Sequence, residues 1–109
     1  IFVDPDIAMV EGAAATGTDR IELYTESYAK QFANGNKDAA IKPLFAAATK
    51  AKELGLGINA GHDLDRQNLQ FLKQQIPWID EVSIGHALIC DALYLGFENA
   101  IQLYKRQLQ

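Results

Sequence analysis

Cysteine is almost absent from this 109-residue sequence, with Cys90 standing alone. A single thiol excludes a disulfide framework within the chain, and a cysteine-rich metal site with it. It also suits a reducing compartment, and no signal peptide is visible, so a cytoplasmic location is expected. Basic runs are missing as well. Ten Lys and Arg stand against 14 Asp and Glu, a net charge of −4, and no stripe forms of the kind a nucleic-acid partner requires. Apolar runs are short. Gly, Asp or His interrupts each one before the ~20 residues a membrane helix needs, so no membrane partner is expected. The two histidines, His62 and His86, show neither HxH nor HExxH spacing, and no metal is expected.

What is present is a core-forming share of apolar residues, 49%, arranged as a short apolar run followed by a helical stretch, four times over. Ile1–Val3 reads as a strand already under way, which suggests a sequence that starts inside a longer protein. Asp4-Pro5 follows as an N-cap with proline in the first helical position. Ile7, Val10 and Ala14 space as one helix face, ended by Gly17. Arg20–Thr25 is the second strand, and Ser27–Asn36 reads as a polar loop with an Asn34-Gly35 turn. Ile41, Leu44, Phe45 and Ala48 predict a helix to Leu54. Pro43 either lies in its first turn, if the helix begins near Ile41, or kinks it. Leu56–Asn59 is the third strand, and Asp65 is expected to cap a helix carrying Leu69 and Leu72. Glu81–Ile84 is the fourth strand. A short helix from Ala87 to about Leu95 and an amphipathic one from Phe97 complete the chain.

Strands alternating with helices imply an α/β fold with a parallel sheet. Four such units are half of a (β/α)8 TIM barrel, which takes roughly 250 residues. A small open sheet with helices on both faces satisfies the same pattern. In either architecture chemistry gathers at the carboxyl ends of the strands, where four positions stand out. Glu22 alternates with Ile21 and Leu23, so it faces away from them. It is either a charge-stabilising carboxylate or a structural one tied to a neighbouring base or amide. His62 follows Asn59-Ala60-Gly61 and is either a proton-transfer group or a loop histidine bonded to backbone. Gly61 and Gly85 either let backbone amides approach a ligand, with the helix after His86 aiming its own amides there, or merely make tight turns. Tyr28, Trp78 and Tyr104 are expected in the core or an interface, and Cys90 as a buried small hydrophobe.

Several of these segments match a known family. Gly55-Leu56-Gly57-Ile58-Asn59-Ala60-Gly61-His62 resembles the GL-x-[IV]-NAGH segment of pyridoxine 5′-phosphate synthases. Ser83-Ile84-Gly85-His86-Ala87-Leu88-Ile89 resembles their [NS]-IGHA-[IL]-I segment, and Leu95–Ile101 their GL-x-x-A-[IV] helix start. Phe2–Asp6, Ile21–Thr25 and Tyr28-Ala29 are similar to the family's upstream strands and loop. The resemblance runs through the whole chain, in order.

It implies the carboxyl-terminal half of a (β/α)8 barrel, strands five to eight with their helices. The implied reaction condenses 1-deoxy-D-xylulose 5-phosphate with 3-amino-2-oxopropyl phosphate to pyridoxine 5′-phosphate and inorganic phosphate. The implied protein is a cytoplasmic homo-octamer without metal or redox cofactor. By the same resemblance His62 is a proton donor and Glu22 stabilises the transition state. Asp63, Gly85 and His86 hold a substrate phosphate, His86 chiefly through its backbone amide. Three residues depart from the family pattern: Asp63 stands where Gly is usual, Tyr24 where His is frequent, and Glu26 where Gly is frequent. The family's remaining catalytic His and Glu lie in the other half of the barrel, so the 109 residues alone are expected to be inactive and prone to association. A non-catalytic phosphate-binding half barrel is the competing expectation. A different phosphosugar enzyme is disfavoured, since Lys42, Lys50 and Lys52 fall on a helix and not at a strand end.

Overall fold

The computed structural model describes residues 1–109. Four strands form one parallel sheet: β1 (Phe2–Val3), β2 (Arg20–Tyr24), β3 (Gly57–Gly61) and β4 (Glu81–Ser83). Their spatial order is β1-β2-β3-β4, the order of the sequence, with no reversal. Between and after them lie α1 (Ile7–Ala15), α2 (Glu26–Ala33), α3 (Lys37–Glu53), α4 (Leu69–Gln75), α5 (His86–Leu95) and α6 (Phe97–Gln107). The α/β class with a parallel sheet is as the sequence predicts.

The sheet is two-faced because each strand alternates. Val3, Ile21, Leu23, Ile58 and Ala60 are buried on one side, in a core shared with Leu44, Leu69, Leu72 and Ile76. Burying each of the larger side chains contributes about 1.5–3 kcal/mol, which is what holds helices to this face. The opposite face carries Phe2, Glu22, Tyr24 and Asn59, none of them buried. Partners across it are Phe2 with Glu22, Glu22 with Asn59, and Asn59 with Glu81.

Several local expectations are corrected. Helix α1 is capped by Asp6 and not Asp4: the Asp6 carboxylate accepts from the amides of Ala8 (2.8 Å) and Met9 (3.4 Å). Pro5 therefore precedes the cap. Its buried face is Val10 and Ala13, with Ile7 exposed. Ser27–Asn36 is mostly the helix α2, not a loop. Tyr28 and Phe32, four residues apart, turn inward there, and Lys30 pairs with Glu26 at 2.8 Å on the outside. Helix α3 begins at Lys37, so Pro43 lies in its interior. Its missing N–H removes a bond at an exposed position, where water can serve the freed carbonyl. Strand β3 starts one residue later than expected and runs on to Gly61. Asp65 caps the turn before α4 and not the helix itself, accepting from the amides of Gln67 and Asn68. Cys90 is exposed, because α5 buries only Ala92.

Candidate active site

Glycines bracket β3 and let long polar side chains of β2 cross it. A Cβ at Gly57 would stand 2.8 Å from Arg20 Nε, and Arg20 reaches over that gap to Glu81 at 3.1 Å. A Cβ at Gly61 would stand 2.8 Å from Glu22 Oε2 and 3.1 Å from Ser83 Cβ. Glu22 uses that gap: Ser83 Oγ donates to its Oε1 at 3.1 Å. The Glu22 carboxylate, on the middle residue of β2 and not at its end, is thus held by a hydroxyl two strands away, through a space only glycine leaves open.

Beyond Gly61 the chain turns sharply. His62 and Asp63 have φ of +102° and +60°, the only non-glycine residues with positive φ. Two hydrogen bonds pin them: Thr25 Oγ1 donates to the His62 carbonyl (2.6 Å), and Asn68 Nδ2 to the Asp63 carbonyl (3.2 Å). Asn68 Oδ1 accepts from the amide of Asp65 (2.9 Å), and Tyr28 Oη donates to the Asn68 carbonyl (2.6 Å). Burial raises the Tyr28 phenol well above its usual range, so it stays a donor. Thr25, Asn68 and Tyr28 have no assigned role in the motif reading, although all three are buried supports of this turn.

The His62 ring lies with its centroid 4.5 Å from that of Tyr24, and its Nδ1 is 3.2 Å from Asp63 Oδ2. Tyr24 Oη in turn donates to Glu26, which also pairs with Lys30. The hydrogen bond to Glu26, with some burial, pushes the Tyr24 phenol up to about 12. Lys30 and Tyr24, in that order, hold the Glu26 carboxyl below its usual range. All three departures from the family pattern therefore fall on one contiguous set of side chains around His62.

A cavity of about 730 Å³ opens between this turn and the start of α5. His62, Asp63, Asp65, Ser83, Gly85 and His86 line it, so four of the five expected site residues converge. Glu22 does not line it and adjoins it through Ser83. Gly85 sits at the N-cap of α5 and His86 is its first residue, so free amides face this region. Of the two acidic lining residues, Asp65 is occupied by amide donors and Asp63 lies against His62.

An α/β protein with a cavity at the carboxyl ends of parallel strands, and its helices on the face behind, is the class these features define. Within that class the chain belongs to the family described as Pyridoxal phosphate biosynthesis protein PdxJ, whose profile matches residues 1–109. It is 68% identical over 109 residues to a pyridoxine 5′-phosphate synthase of Cytophaga hutchinsonii, covering 100% of this chain and 45% of that protein. Those of Flavobacterium johnsoniae (61%) and Christiangramia forsetii (60%) are also matched over 100% of this chain and 46% of their own length. The chain thus spans a little under half the length of the curated relatives it matches.

Proposed function

We propose that these residues form the strand-five to strand-eight half of a (β/α)8 barrel acting as a pyridoxine 5′-phosphate synthase. The substrates on this reading are 1-deoxy-D-xylulose 5-phosphate and 3-amino-2-oxopropyl phosphate. The observation that carries it is the convergence of His62, Asp63, Gly85 and His86 on one cavity, with Glu22 fixed beside it, in a chain matched end to end by that family. The serial strand order and the single covered face favour a closing barrel over a doubly wound sheet, whose strand order reverses.

His62 is the proton donor: an imidazole can both take up and give a proton, which suits a condensation that loses water. Glu22 stabilises developing positive charge, and the Ser83 hydroxyl limits its freedom. The amides of Asp63, Gly85 and His86 take the phosphate of 3-amino-2-oxopropyl phosphate. The remaining acid–base groups come from the other half of the barrel, so the 109 residues alone do not turn over. The whole protein works as a cytoplasmic homo-octamer, without metal or redox cofactor. No helix is long and apolar enough to cross a membrane.

The test is ring closure by the complete protein, after an intact mass under denaturing conditions has established which polypeptides are in the sample. His62→Gln should lower kcat by about 10²–10⁴-fold, the usual worth of a positioned acid–base group. Glu22→Gln should lower it by about 10²-fold. Wild-type rates in both variants would refute the assignment.

A further inference from the structure

The paired positive φ values at His62 and Asp63 need a reason, because residues with a Cβ resist this backbone and keep it only where the surroundings over-determine it. The surroundings are identifiable. Thr25 and Asn68 are the two buried polar residues of the chain, and each donates its side-chain hydrogen to one of these two carbonyls. The clamp brings neighbouring side chains together: His62 Nδ1 stands 3.2 Å from Asp63 Oδ2. On another side Tyr24 packs against the imidazole. The other nearby acids are engaged elsewhere, Asp65 by the Gln67 and Asn68 amides and Glu26 by Tyr24 and Lys30.

We propose that Asp63 is a positioning residue, which draws the ring proton of neutral His62 to Nδ1 and leaves Nε2 as the nitrogen that exchanges protons with the cavity's occupant. A neutral imidazole has one donor and one acceptor nitrogen, and the partner of one decides the role of the other. To act as a donor His62 first takes up a second proton from solvent water at Nε2, giving the imidazolium, and then passes that proton to the occupant. The Nδ1–H stays beside the Asp63 carboxylate throughout, which does not itself become protonated. The inference rests on the reading that His62 moves a proton during ring closure. The tautomer, however, belongs to the resting protein and is read without turnover.

The test is nitrogen-15 NMR of the complete, histidine-labelled protein, with the His62 signals assigned by their loss in His62→Gln. Asp63→Gly is the informative variant, because glycine accepts φ near +60° and the turn is retained. Wild type should show the pattern of a protonated Nδ1 and a bare Nε2. Asp63→Gly should shift towards a protonated Nε2, and Asp63→Asn, which keeps an acceptor oxygen, should fall between. In Asp63→Gly, kcat should drop about tenfold with KM unchanged, a part of what the acid–base group itself supplies. A wild-type proton on Nε2, or an Asp63→Gly spectrum identical to wild type whatever its rate, would overturn the proposal. The expected spectra in a protein without ring-closure activity would uphold the positioning role and reject the synthase reading.

Discussion

At the scale of single residues, the positions that shape the site are those whose neighbours come from far along the chain. Gly61 is one. Its missing Cβ is the space through which Glu22 reaches Ser83, 61 residues away in sequence. Gly61→Ala should displace the Glu22 carboxylate and crowd Ser83, costing about 1–3 kcal/mol as an overpacked site. Denaturant unfolding checks the cost, and a crystal structure with the Glu22–Ser83 bond intact would contradict the displacement. The placement of His62 and the two glycines at the carboxyl ends of β3 and β4, and of Glu22 on the uncovered face of β2, was legible in the sequence because the motifs and the strand alternation coincide there. The supports were not. Nothing in an alternating pattern marks Thr25 or Asn68 as clamps, and a left-handed turn built from His and Asp lacks the glycine that usually signals one.

At the scale of elements, helices with apolar periodicity were legible and their ends less so. Helix α2 is hidden by its polar composition, and the signal it does carry is the pair Tyr28 and Phe32 at i, i+4. Aspartates compete as caps within Asp4-Pro5-Asp6, and the one with the extended backbone and amides within reach wins. The first turn of α2 also holds a pH-sensitive contact. The Glu26 carboxyl lies below its ordinary value of 4.5 because it accepts from Lys30 and Tyr24. A lowered carboxylate stabilises the fold above its unfolded value, and that contribution disappears as pH falls through the folded one. The thermal midpoints of wild type and Glu26→Gln should therefore differ at neutral pH. They should converge as pH falls below 4.5, and a difference that persists at lower pH would assign the effect to packing.

For the whole molecule, the extents of 43 × 28 × 21 Å describe a slab, with a radius of gyration of 14.0 Å. A closed globule of this length would have about 13 Å. The slab leaves β1 and β4 as strand edges, each with a neighbour on one side only. It also leaves Leu93 and Tyr94 of α5 at 80% and 90% exposure, with Phe97 and Ile89 close in sequence. Unpaired edges and clustered apolar side chains drive association. The isolated 109 residues should therefore sediment as concentration-dependent multimers, and Leu93→Glu should weaken them. A monomer at all concentrations would show that edges and patch are protected. The serial strand order has a consequence of another kind. Every strand pairs with the one made just before it, as Ile21 does with Ile58, so no strand must wait for a later one to be inserted beside it. Such a chain can assemble in the order in which a ribosome releases it, each new βα unit docking on a template already in place.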